Sequence, residues 1–304
     1  MTINGLHLEP TNICTLKCPR CARTKFLETF KQKNWQNNNL NLEDLKNFLD
    51  ISLKNIRVLL CGNYGDPIYY PDLFRLVNFL KTNGAIIEII TNGSYKNKQW
   101  WSELVTNLDS NDTVTFSVDG NPNNFTNYRI NADWPSILIG METVADSYIK
   151  SKWKFIPFRF NEDSIQTTKK LSEDIGIKQF IVEPSDRWDS DHDYLKPTNI
   201  EFHGSRNNSI IEWKYNKNYN QEIDPKCKNN RQHFITATGY YTPCCYVNDH
   251  RFYYKSKFFK EKNLYDIKNT TMTKIINQEI EFFQSIEKEK PRFCTFNCAK
   301  IENE

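Results

Sequence analysis

The segment CTLKCPRC places Cys14, Cys18 and Cys21 within residues 14–21. Three thiolates this close are ligands for a soft metal centre. A structural zinc ion or an ordinary iron–sulfur cluster takes four protein ligands. The next cysteine, Cys61, ends the apolar run IRVLLC and reads as a buried core residue on a strand. The triad is therefore one ligand short. A centre held by three protein groups keeps one coordination position open, and an open position separates reactive metal sites from structural ones. A zinc site completed by a distant residue is the other reading of this spacing.

A second group lies far along the chain: Cys227, the adjacent Cys244 and Cys245, then Cys294 and Cys298. With Cys61 the cysteines number nine, an odd count that disulfides alone cannot use up. Grouped in short spacings, they suit metal ligation better than a disulfide framework. No basic stretch leading into an apolar one opens the sequence, and no apolar run is long enough to span a bilayer. The expectation is a soluble cytoplasmic protein without a membrane contact. The net charge is only +3, with basic and acidic residues interspersed, which argues against the clustered basic face of a nucleic-acid binder.

These cysteines need a scaffold, and hydrophobic periodicity outlines one. INGLHLEP is a first strand, with Leu6 and Leu8 alternating against His7 and Glu9. NLEDLKNFLDISLKN has helical spacing behind Asn41 as a cap. IRVLLC, AIIEII, DTVTFSV, KWKFIPFRF and IKQFIVEP read as five more strands, with helices between them, including one over residues 133–147. Alternating strands and helices imply parallel βαβ units, in an open sheet or a complete or partial barrel. Either architecture puts chemistry at the C-terminal ends of the strands. There lie the cysteine triad, GNYGDP, TNGS and DGNPNN. Residues 185–226 lack periodicity and read as a bridge, and HFITATGYYTPCCYV reads as a hairpin around Gly239.

The loop GLHLEPTNICTLKCPRC resembles the entry strand and C-x₃-C-x₂-C loop of the radical SAM superfamily. The resemblance implies an α/β fold, a partial (β/α)6 TIM-like barrel. It also implies a [4Fe-4S] cluster on Cys14, Cys18 and Cys21, whose open iron is chelated by S-adenosylmethionine (SAM). One electron then cleaves SAM to a 5′-deoxyadenosyl radical that abstracts a substrate hydrogen. YGDP falls where the family has Gly-Gly-Glu-Pro, which assigns Gly65 and Asp66 to the methionine amine of SAM. SVDG and the later Tyr128-Arg129 resemble segments whose Ser and Arg meet the SAM carboxylate, here Ser117 and Arg129. A guanidinium fork matches a carboxylate bidentately. Asn92 of TNGS joins this SAM-side set. Two residues depart from the pattern. Asp66 is one methylene shorter than the usual Glu, and Arg20 stands where an aromatic residue usually meets the adenine.

The run from Cys227 through Gly239 to Cys244 resembles the opening of the SPASM or twitch extension of that superfamily. This implies a small cysteine-rich C-terminal extension with one auxiliary [4Fe-4S] cluster on Cys227, Cys244, Cys294 and Cys298. Cys245 is the alternative ligand, a filler, or a thiol hydrogen donor as in some radical epimerases. The expected organisation is a core barrel over 1–184, a bridge over 185–226 and the auxiliary domain over 227–304. The start of the chain near strand one carries the expectation of no N-terminal peptide-recognition domain. The implied substrate is a peptide or a small molecule such as an aminoglycoside-type sugar, oxidised, cross-linked or epimerised, with flavodoxin or ferredoxin as electron donor. The competing class is a non-enzymatic zinc-binding interaction module.

Overall fold

The computed structural model describes residues 3–29, 35–188, 190–204, 222–225, 227, 232–248, 256–278, 294 and 298. Its centre is an eight-stranded sheet. Strands β1 (Gly5–Leu8), β2 (Arg57–Leu60), β3 (Ile86–Thr91), β4 (Thr113–Ser117), β5 (Lys150–Phe155) and β6 (Gln179–Val182) lie side by side in sequence order. All are parallel, as the helical crossovers between them require. The described α-helices between these strands are α1 (Ala22–Thr29), α2 (Leu42–Phe48), α3 (Leu73–Thr82), α4 (Lys98–Thr106), α5 (Trp134–Ala145) and α6 (Ile165–Ile175).

Alternation along the strands sorts the side chains. Val58, Leu60, Ile87, Ile89, Val114, Phe116 and Trp153 lose all solvent contact against Leu76, Leu80, Trp101, Leu104, Met141 and Val144 of the helices. Each such side chain contributes roughly 1.5–3 kcal/mol by leaving water. The intervening residues Leu59, Cys61, Glu88, Ile90, Ser117, Lys152 and Lys154 are half-buried on the face turned away from the helices. That inner face opens toward the C-terminal strand ends.

Three differences from the sequence reading have physical causes. α1 has little amphipathic signal, and it begins directly after Cys21. The helical periodicity after Asn41 stops at Phe48, although Asn41 caps α2 as expected through Glu43 and Asp44. Asp50 then accepts the Thr273 N–H at 2.9 Å, so a later segment uses the chain that the periodicity had extended. Most consequentially, the hairpin of β7 (Gln232–Ile235) and β8 (Tyr241–Thr242) continues the barrel sheet. β7 pairs in parallel with β1, and β8 runs antiparallel to β7. No helix among the described residues is long and apolar enough to cross a membrane.

Candidate active site

β1 delivers the chain to the cysteine loop at the C-terminal edge of the sheet. Cys18 is buried, while Cys14 and Cys21 are half-buried. The Cys21 N–H donates to the Cys18 carbonyl at 3.1 Å, and Lys25 N–H donates to the Cys21 carbonyl at 3.0 Å. The third cysteine is thereby fixed at the start of α1. Burial pushes the Cys14 thiol up to about 12 and the Cys18 thiol up to about 11, and neighbouring thiols of the triad add to the rise in both. In the metal-free chain Cys14 and Cys18 hold their protons, and metal must displace them. The all-sulfur donor set suits an iron–sulfur cluster, and among the described residues no three His, Cys, Asp or Glu side chains close on a single metal ion.

Two polar constellations flank the triad. At Cys14, Asp66 caps the turn that follows and is fully enclosed. Its Oδ1 accepts from Thr91 Oγ1 at 2.8 Å and Ile68 N–H at 3.2 Å, and its Oδ2 accepts the Asn92 N–H at 2.6 Å. Burial raises its pKa against these donors. Asn92 Nδ2 also contacts Asp66 and reaches Cys14 Sγ at 3.7 Å. The short Asp66 side chain is thus spent on positioning the β2 and β3 loops together. Gly65 is required here because a Cβ would lie 1.9 Å from the Thr11 carbonyl oxygen. At Cys18, Arg129 Nη2 donates to Ser117 Oγ at 2.8 Å, Nε lies 2.7 Å from Asp119 Oδ2, and Nη1 lies 4.0 Å from Cys18 Sγ. Asp119 has no solvent exposure, so the ion pair is shielded from water.

The distant cysteines also converge. Cys227 and Cys244 share a thiol–thiol hydrogen bond that raises Cys227 and lowers Cys244, while Cys294 and Cys298 add their charge to Cys227. The Cys298 N–H donates to the Cys294 carbonyl at 2.7 Å, setting those two one turn apart. The charge of Cys245 helps raise the thiol of Cys61. Asn63 Nδ2 donates to the Cys245 carbonyl at 2.9 Å, and Tyr64 OH donates to the Asn248 carbonyl at 2.9 Å. Cys61 is therefore not a core residue. It alternates with the helix-facing Val58 and Leu60 and lies half-buried on the inner face.

Protein-family models match residues 8–172 as the radical SAM superfamily and residues 227–299 as an iron–sulfur cluster-binding domain, SPASM. The chain belongs to the radical SAM superfamily. It is an enzyme whose cofactors are SAM and a [4Fe-4S] cluster, with auxiliary iron–sulfur in its SPASM domain. Among solved structures, Streptococcus suis SuiB bound to S-adenosylmethionine is similar with a TM-score of 0.56 and 13% identity, over 87% of this chain and 66% of that one. SuiB bound to the precursor peptide SuiA has a TM-score of 0.56 and 13% identity, over 87% and 65%. The native anSMEcpe structure with bound AdoMet has a TM-score of 0.57 and 16% identity, over 97% and 89%. These likenesses are of fold. The chain spans just under two thirds of SuiB. No curated protein sequence matched it.

Several groups in this radical SAM site were not singled out from the sequence. Asp119 lies inside the quoted SVDG, but a buried counter-ion and a turn aspartate look alike in a string of letters. The bridge contributes more than its composition suggested: Asp193 pairs with Arg20, and Leu195 is fully buried beside Leu16, Cys18 and Tyr128. Arg187 Nη1 donates to Tyr128 OH at 3.3 Å. With its guanidinium tied to Asp193, Arg20 packs the bridge onto the cysteine loop. His7 Nε2 sits 2.7 Å from the Cys61 carbonyl, and burial lowers the ring to about 4, so the neutral Nε2–H is the donor. His233 is buried with Nδ1 at 2.9 Å from Tyr241 OH.

Proposed function

We propose that Cys14, Cys18 and Cys21 hold the catalytic cluster, and that Gly65, Asp66, Asn92, Ser117 and Arg129 form the SAM side of the site. The observation that carries this reading is the pair of constellations: Asn92 contacts Cys14, and Arg129 contacts Cys18. When bound, the cluster supplies one electron to the sulfonium of SAM, the source of the 5′-deoxyadenosyl radical. Arg129 presents a fixed cation for the SAM carboxylate, with Asp119 and Ser117 holding its orientation. The Gly65 segment offers backbone groups to the amine, and Asp66 keeps that segment against Asn92. Cys227, Cys244, Cys294 and Cys298 hold one closed auxiliary cluster, since four thiolates leave no iron open.

The substrate is a peptide or a small molecule that enters the inner face of the barrel. Abstraction of its hydrogen begins an oxidation, cross-link or epimerisation. Cys245, beside Cys61, is the candidate hydrogen donor. The reaction takes its electrons from flavodoxin or ferredoxin in the cytoplasm. Barrel over 1–184, bridge over 185–226 and auxiliary domain over 227–304 remain the working organisation. Anaerobic reconstitution tests the metal assignment: two four-iron clusters give about eight irons per chain. One or two equivalents of zinc with no iron would favour the zinc-binding module instead.

A further inference from the structure

We infer that Glu9 is a positioning residue that couples the C-terminal extension to the SAM-side loop. Glu9 follows β1 and is only 1% exposed. Its Oε1 accepts the Tyr64 N–H at 2.8 Å. The backbone N–H groups of Ala237, Gly65 and Asn63 also favour its charged form, against burial, which pushes the carboxyl up to about 7. Successive N–H groups turned on one anion form a nest. Here the nest is made by two segments far apart in sequence. Residues 63–65 belong to the loop carrying Gly65 and Asp66. Ala237 belongs to the turn between β7 and β8.

The carboxylate therefore ties the extension's first turn to the SAM-side loop across the end of β1. Neighbouring contacts run the same way, since Asn63 and Tyr64 both bond the carbonyls of the 245–248 turn. The β1–β7 pairing sets the distance: Glu9 N–H donates to the Ile235 carbonyl at 2.9 Å, two residues before Ala237. Glu9 touches no cysteine of the triad in these contacts. Its action on SAM runs through the shape of the loop. Glutamine cannot replace it, because an amide offers one acceptor oxygen and inserts two N–H donors among the backbone donors. The inference rests on the reading of Gly65 and Asp66 as SAM-side residues, and the test separates the two.

Amide exchange of the metal-free protein, read on peptides covering 62–66 and 236–240, tests the nest without SAM. Glu9→Gln is expected to speed exchange in both peptides together by about tenfold or more, with β3 and β4 unchanged. SAM affinity is then measured by equilibrium dialysis on reconstituted protein. Glu9→Gln is expected to bind SAM about tenfold more weakly at wild-type iron content, the effect of losing one strong charged hydrogen bond. A second variant, Ala237→Pro, removes only the hairpin's donor. The Gly239 N–H donates to the Thr236 carbonyl at 3.0 Å, so Ala237 is the first central residue of a turn, a position that proline suits. Ala237→Pro is expected to speed exchange at 62–66 and weaken SAM binding severalfold. Unchanged exchange at 62–66 in both variants, or wild-type SAM affinity in a folded Ala237→Pro protein, overturns the inference. Asp66→Asn is the control: wild-type SAM affinity in that variant would count against the SAM-side reading of the loop, while coupled exchange in Glu9→Gln would still support the nest.

Discussion

His7 and Glu9 show how one short strand end carries two opposite titrations. In the unfolded chain His7 protonates near 6.5, whereas burial holds it neutral down to about 4 in the fold. The stability it contributes is full above pH 6.5 and is lost as the pH falls toward 4. At pH 5 that loss is about 2 kcal/mol. Glu9 is displaced the other way, up to about 7, so its contribution falls as the pH rises from 4.5 to 7. Comparing His7→Gln with the parent isolates the first term, because the amide still donates to the Cys61 carbonyl. Urea midpoints of the metal-free protein are expected to fall less between pH 7 and pH 5 in His7→Gln. Arg129 gives a second prediction at this scale. Arg129→Lys keeps the charge but loses the fork that spans Ser117 and Asp119. It is expected to keep its iron and bind SAM about tenfold more weakly, the effect of a lost bidentate contact. Asp119 was invisible as the partner of Arg129 because their contact depends on how the chain between β4 and α5 folds back on itself, which spacing does not encode.

Among the elements, the packing of α4 on α5 depends on a missing side chain. A Cβ at Gly140 would lie 2.6 Å from the ring of Trp101, which has no solvent exposure and no room to retreat. Helix propensity alone makes Gly140→Ala stabilising by about 1 kcal/mol. Overpacking against a rigid core ring costs about 1–3 kcal/mol and reverses that sign. Thermal unfolding of Gly140→Ala is therefore expected at a lower temperature than the parent. The strands and most helices were legible because alternation and 3.6-residue spacing are local. β3 and α3 follow their patterns closely. The pairing of β7 with β1 was not legible, because parallel register between segments over 220 residues apart leaves no local mark. Cys61 was misplaced for a related reason: IRVLLC is apolar on both faces, so the letters do not say which face meets the helices.

For the whole molecule, the two cysteine groups occupy separate places, and the bridge and the hairpin both pack toward the barrel mouth. The spacing of the triad and of the later group suggested metal ligands, and the loops around them made the family legible. Spacing leaves Cys244 and Cys245 equivalent as the ligand; the electrostatic tie of Cys244 to Cys227, and of Cys245 to Cys61, is what favours Cys244. A Cys227→Ala, Cys244→Ala double variant is expected to lose about half the iron, one four-iron cluster of two, and to lose product. Its barrel cysteines stay intact, so some SAM cleavage should persist. Cys245→Ala is expected to keep full iron content, and loss of iron there but not in Cys244→Ala would reverse the assignment.

The central claim is that three thiolates, and no fourth, hold the centre that cleaves SAM. It is tested most directly by 5′-deoxyadenosine formation under dithionite in the reconstituted protein and in Cys14→Ala, Cys18→Ala and Cys21→Ala. The parent should form 5′-deoxyadenosine, and each single variant should form none while keeping the auxiliary iron. SAM cleavage at the parent rate in a variant lacking all three cysteines would contradict the account.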